Sequence, residues 1–105
     1  MAREMRFLDI PDGHPLPRDW LFRLDNEGFE AQIALVEEIG PVFAGCKPLL
    51  GDMWLLNEPI GFGDIAHLIF VSVRNRNFLA LHGFTSKSRE SIDQEIALAD
   101  KRRRE

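Results

Sequence analysis

Four side chains in the second half of the chain have types and spacing suited to acid–base or anion chemistry. His67 lies in the apolar run IAHLIFV and His82 in FLALHGF, and Lys87 and Arg89 follow that second run. The two runs flank Arg74-Asn75-Arg76-Asn77, a polar hairpin-type turn, which places His67 and His82 at similar distances from it. Imidazoles brought together in this way can exchange protons near neutral pH if both project from an open face. Two half-buried histidines bonded to backbone or to each other are the plainer alternative. Lys87 and Arg89 can converge on an anion beside the strand end, whereas Arg74 and Arg76 sit at the opposite end of the hairpin. The three histidines, at 14, 67 and 82, have no metal-ligand spacing to one another, and no phosphate-loop pattern follows Gly61-Phe62-Gly63. No metal and no cofactor is expected.

The bulk properties limit what can position these groups. A chain of 105 residues with 45% hydrophobic and 29% charged residues suits one small domain with one core. Cys46 is the single cysteine, which excludes an internal disulfide and a multi-cysteine metal site, and it reads as structural. No apolar run approaches the ~20 residues needed to cross a bilayer, and the N-terminus lacks the apolar segment of a secretory signal. The expected compartment is the cytoplasm, without membrane contact. The net charge of −4 is uneven. Residues 1–66 carry 5 basic and 12 acidic side chains, while residues 67–105 carry 8 basic and 5 acidic ones. A basic C-terminal third allows a local phosphate-binding face. Lys101-Arg102-Arg103-Arg104 equally suits a helix C-terminus, where cations complement the macrodipole.

Residues 5–10 read as a short strand, ended by the turn chemistry of Pro11-Asp12-Gly13-His14-Pro15. Pro17 and Asp19 suit a first helical turn. Apolar residues at spacings of three and four then predict one broken helix or two short ones over 17–39, weakened at Gly28 and stopped by Gly40-Pro41. Strands are predicted over 53–57, 65–73 and 78–84, with a loop at Pro59, Gly61 and Gly63. A final helix to about Arg104 should be capped by Ser91 with Gln94 completing a capping box, and should bury Ile92, Ile96 and Ala99. The fold class is α+β: a twisted antiparallel sheet of three to four strands, an N-terminal helix or helix pair, and a C-terminal helix. The helices should cover one face and leave the other as a concave working surface carrying apolar residues such as Trp54 or Phe70.

Several segments together resemble the RelE/ParE toxin superfamily, with the phage-derived HigB-like branch fitting best. They are Gly40-Pro41-x-Phe43-x-Gly45, Lys47-Pro48-Leu49, Met53-Trp54-Leu55-Leu56, His67-Leu68-Ile69-Phe70, Leu81-His82-Gly83-Phe84 followed by Lys87, and Glu95-Ile96-x-x-Ala99 with a basic end. The resemblance spans about residues 29–104, is most specific over 79–104, and makes residues 1–105 one toxin-like domain. It implies a RelE-like fold and the toxin role of a type II toxin–antitoxin system. The implied activity is ribosome-dependent mRNA cleavage, in which a ribose 2′-oxygen attacks the adjacent phosphate without a metal. The implied partners are mRNA on the ribosome and a cognate antitoxin, a small helix-turn-helix protein, with a homodimer as the self-association alternative.

Residue by residue, the resemblance places Lys87, His67 and His82 as catalytic groups and Asn57 and Arg89 as substrate-binding groups. The pattern also departs from the family. An arginine falls on Asn57, another falls on His67, and a lysine pair is reduced to Lys87. Two functions therefore stand side by side: an mRNA endonuclease, and a catalytically weakened or inactive binding protein on the same scaffold, acting through an antitoxin or another cellular target.

Overall fold

The computed structural model describes residues 3–73, 77–87 and 90–105. Its elements are β1 (Met5–Phe7), α1 (Pro17–Leu24), α2 (Glu27–Phe43), β2 (Lys47–Pro48), β3 (Met53–Gly61), β4 (Asp64–Ser72), β5 (Phe78–Lys87) and α3 (Asp93–Arg104). The class is α+β, as expected, with a C-terminal helix. The sheet has five strands rather than three or four, in the order β1-β5-β4-β3-β2. It is mixed, because β1 joins the edge of β5 in parallel while the other pairings are antiparallel. The additional strand is β2, two residues of the connection between α2 and β3 that reach the far edge.

The helix pair separates at Asp25–Asn26, not at Gly28. Asp25 takes a left-handed conformation (φ 45°) and returns its N–H to the Leu21 carbonyl. Asn26 then caps α2 by accepting a hydrogen bond from the Phe29 N–H at 2.9 Å. Gly28 sits harmlessly in the first turn. Regular helix breaks at Gly40 (φ 85°), where the chain kinks before one further turn through Pro41. At the other end of the chain, α3 starts one residue later than expected. Ile92 packs on the core and occupies the N-cap position without a side-chain cap, so the Ser91–Gln94 capping box does not form.

Strand alternation distributes the sheet over two cores. Leu56, Ala66, Leu68, Phe70, Phe78 and Ala80 meet Phe29, Ile33 and Val36 of α2, with Trp20, Leu21 and Leu24 of α1 beside them. Met53, Leu55, Ile69, Val71 and Leu81 face the other way and meet Ile92, Ile96 and Ala99. Helices therefore cover both faces, and among the described residues the sheet shows no bare face of the kind expected. Phe70 is fully buried under the α1/α2 layer, and Trp54 is half-buried against the same core. Central strand β4 is buried without interruption from Ala66 to Val71, which is what two-sided coverage requires.

Two local features set the register. The β3–β4 hairpin closes through Phe62 and Gly63, both at positive φ (55° and 78°), a backbone twist that matches the flanking strands. In the β4–β5 pair, Ile69 faces His82 but Phe70 faces Ala80, so Leu81 is an extra residue. This bulge turns both Leu81 and His82 toward α3. Gly83 lies on the opposite face, where Trp20 approaches so closely that a Cβ would stand 2.1 Å from its ring. Only glycine accommodates that contact, which presses α1 onto β5.

Candidate functional site

The α3 side of the sheet carries a row of polar groups at one end. Phe84, Ser86 and His82 of β5, His67 of β4 and Asn57 of β3 project there by alternation, and His67 stands directly opposite both Asn57 and Phe84 in register. His67 and His82 both stack on the Phe84 ring, at centroid separations of 4.6 Å and 5.2 Å and nearly parallel planes. The expected proximity of the two histidines is real, but their nitrogens face different partners. Direct proton exchange between them is not what this arrangement provides.

His67 Nδ1 lies 2.5 Å from Asn57 Oδ1, and Nε2 lies 2.6 Å from Ser86 Oγ. With the Asn57 oxygen accepting, Nδ1 carries the proton and Nε2 accepts from the Ser86 hydroxyl. His82 Nε2 lies 2.9 Å from Glu95 Oε2 of α3. Burial lowers the pKa of both imidazoles below the ordinary histidine value, against a smaller upward pull from Glu95. Arg102 and His14 add to the lowering at His82. Both rings are therefore held toward the neutral form, and His67 does not replace a fixed arginine charge.

Arg102 anchors the site from behind. It is 4% exposed. Its Nε and Nη2 form a fork on the Asp12 carboxylate at 2.7 and 2.9 Å. It also donates from Nη1 to the Leu81 carbonyl at 2.8 Å and from Nη2 to the Pro15 carbonyl at 3.0 Å. The guanidinium holds Asp12 well below the usual carboxylate range. Arg102 thus does more than complement a helix dipole: it ties the loop after β1 to α3 and to the bulge of β5.

Lys87 is placed differently. Along β5, Phe84 and Ser86 are buried toward α3 while Thr85 and Lys87 are exposed on the alternate side. Lys87 pairs with the Asp64 carboxylate, its partner in register, and the lysine side chain is 67% exposed. The structure thus brings together His67, Asn57 and His82 but not Lys87. The predicted Arg89 lies outside the described residues. Asn57, expected to bind substrate, has its oxygen engaged by His67.

Between the end of β5 and the start of α3 is a cleft of about 440 Å³. Phe84, Thr85, Ser86, Glu90, Ile92 and Glu95 line it, with Ser91 and Gln94. Among these described residues its charged groups are acidic. Among the described residues, no group of three His, Cys, Asp or Glu side chains is placed to hold a metal. Burial pushes the Cys46 thiol up to about 11, consistent with a structural cysteine. Among the described residues, no helix is long and apolar enough to cross a membrane.

Sequence reasoning missed Ser86, Glu95 and Arg102. A signal existed for the last two: Glu95, Ala99 and Arg102 recur at four and three residues, on the helix face that buries Ala99. No local signal marks Ser86, whose partner is 19 residues away on the neighbouring strand. Compared with known proteins, the chain matches no family model and no curated protein.

Proposed function

We propose that the chain is the toxin component of a type II toxin–antitoxin pair on a RelE-like scaffold, and that its mRNA-cutting site is weakened or non-cleaving. The scaffold reading rests on the resemblance over residues 29–104. It is supported by the element order of strand, two helices, a run of strands and a C-terminal helix. One observation carries the weakened reading. Lys87, the cation retained from the family pattern, lies on the strand side away from His67 and His82 and is paired with Asp64. Attack of a 2′-oxygen on phosphate needs fixed positive charge against the developing oxyanion. Neutral imidazoles and the cleft carboxylates Glu90 and Glu95 do not provide it. Under this reading the chain works in the cytoplasm through capture of a partner, a helix-turn-helix antitoxin or another cellular target.

A second reading, active ribosome-dependent endoribonuclease, is favoured by the exposure of Lys87. An exposed ion pair contributes only about 0–1 kcal/mol and readily exchanges a carboxylate for a phosphate. Inducible expression with primer extension on a reporter mRNA separates the two. Growth inhibition without translation-dependent cuts supports the weakened reading. Cuts that vanish in Lys87→Ala overturn it in favour of the enzyme. Absence of any growth effect removes the toxin assignment itself.

A further inference from the structure

The buried chain Ser86–His67–Asn57 has the connectivity of a nucleophile, a base and a group that orients the base. Ser86 Oγ is 2.6 Å from His67 Nε2, and His67 Nδ1 is 2.5 Å from Asn57 Oδ1. Each member sits on a different one of the three inner strands of the sheet: β5, β4 and β3. Stacking on Phe84 fixes the plane of the imidazole. Ser86 is 8% exposed, and it lines the cleft of about 440 Å³ between β5 and α3. Such a relay is more than a buried serine needs, since one backbone acceptor would satisfy its hydroxyl.

We propose that Ser86 is an activated nucleophile for acyl transfer, with His67 as general base and Asn57 as the positioning residue that keeps the proton on Nδ1. This site shares His67 and Asn57 with the site that the toxin reading invokes, but it does not rest on that reading, because the Ser86 adduct and the growth assay report on the two separately. The cleft defines the substrate class. Phe84 and Ile92 offer apolar contact, whereas Glu90 and Glu95 disfavour anions, so the fitting substrates are uncharged or cationic carboxylic esters. Ser91 and Gln94 line the same cleft and carry neutral donors of the type an oxyanion requires.

In the first step the Ser86 Oγ–carbon bond forms, the carbonyl π pair moves onto oxygen, and the hydroxyl proton passes to His67 Nε2. Collapse breaks the bond to the leaving alcohol, which takes that proton. Water then repeats the sequence on the acyl-serine, releasing the carboxylic acid and restoring Ser86.

The groups facing His67 are Asn57 from β3, Phe84 and Ser86 from β5, and the Glu95 carboxylate from α3. Burial outweighs Glu95, so the imidazole is available as a base at neutral pH.

The test is labelling of the full chain with a fluorophosphonate, read by intact mass and peptide mapping, together with hydrolysis of p-nitrophenyl acetate. In the labelling reaction the Oγ–phosphorus bond forms and fluoride leaves. The expected result is one adduct, mapped to Ser86 and absent from Ser86→Ala. His67→Gln should label about 100-fold more slowly. The labelling rate should rise with pH to a plateau, with a midpoint below the ordinary imidazole value of about 6.5. Asn57→Leu should lose about 10-fold, and Asn57→Asp, which can only accept from Nδ1, should restore it. A purely structural contact would not move the pH profile or be rescued in this way. Absence of any adduct, an adduct at another residue, or wild-type labelling of His67→Gln overturns the proposal. If Ser86→Ala fails to fold, the mapped wild-type adduct still decides.

Discussion

The same three strands face two different interiors. Toward α1 and α2, β3, β4 and β5 present Leu56, Leu68, Phe70, Phe78 and Ala80, and their packing partners are aliphatic and aromatic. Toward α3, at the alternate positions, the strands present Asn57, His67, His82 and Ser86 beside Ile69 and Leu81, and α3 answers with Glu95 and Arg102. Among the described residues no buried side-chain nitrogen or oxygen lacks a partner. The α1/α2 side is held by area and shape alone. The α3 side adds directed bonds to its own apolar cluster and retains a cleft, so the sheet concentrates its buried polar contacts on one face.

That asymmetry can be broken most severely on the α1/α2 side. Phe70 is fully buried and packs edge-on against Phe78 at 5.4 Å. Phe70→Ala should cost about 3–5 kcal/mol in denaturant unfolding, through lost transfer energy and the cavity left behind. A cost below about 2 kcal/mol would mean that the α1/α2 core collapses onto the gap and is less tightly packed than its geometry indicates.

Arg102→Ala comes next. It removes a buried side chain that bonds Asp12, the Leu81 carbonyl and the Pro15 carbonyl together. Orphaning those acceptors should cost about 2–4 kcal/mol in the same unfolding measurement. The loop around Asp12 should also become open to protease, unlike in Phe70→Ala. If the loop stays protected, the apolar contacts alone hold it, and the polar side is less dependent on directed bonds than argued.

The outline of this architecture was legible in the sequence, and its two-sidedness was present but misread. IAHLIFV is continuously apolar around one histidine, the pattern of a strand covered on both faces, whereas a strand with one open face alternates. Helix boundaries followed Pro17 and Gly40 closely, while the break at Asp25 depended on a left-handed aspartate that no composition rule singles out. The neighbourhood of His67 and His82 followed from hairpin arithmetic. Their partners did not, because a bulge at Leu81 shifts the facing of β5 by one residue. In the sequence Arg102 does not stand out from its helix-end neighbours, because its partner, Asp12, is 90 residues away. The sequence predicts β5 to end at Phe84, which leaves the side taken by Lys87 undetermined; the strand runs on to Lys87 and so sends it away from the histidines.

A third effect is smaller and depends on pH. The folded-state pKa of His82 is lowered by burial, with Glu95 pulling upward and Arg102 and His14 adding to the lowering. The unfolded chain therefore takes up the proton first as pH falls below about 6.5, and stability declines there. His67 is lowered in the same direction. Asp12 and Asp100, whose pKa values are lowered chiefly by hydrogen bonds from Arg102 and Arg103, add their losses only below the ordinary aspartate range. His82→Gln should narrow the difference between melting temperatures at pH 7.5 and 5.5, with His67 supplying the remainder. An unchanged difference would show that the His82–Glu95 contact compensates its own burial.

The smallest effect belongs to the most functionally weighted cation. Lys87 is 67% exposed, and Asp64 is 30% exposed, so solvent and salt screen their pair. Lys87 touches neither core, and its backbone N–H, bonded to Glu90 at 2.8 Å, is unaffected by truncation of its side chain. Lys87→Ala should leave unfolding stability within about 0.5 kcal/mol of wild type. This near-silence is what makes the substitution useful. Loss of growth inhibition or of mRNA cuts in a variant equally stable to denaturant must come from a charge needed outside the fold, not from unfolding. A stability loss above about 1 kcal/mol would instead show Lys87 to be part of the folded framework. Its retention in the resemblance would then say nothing about phosphate.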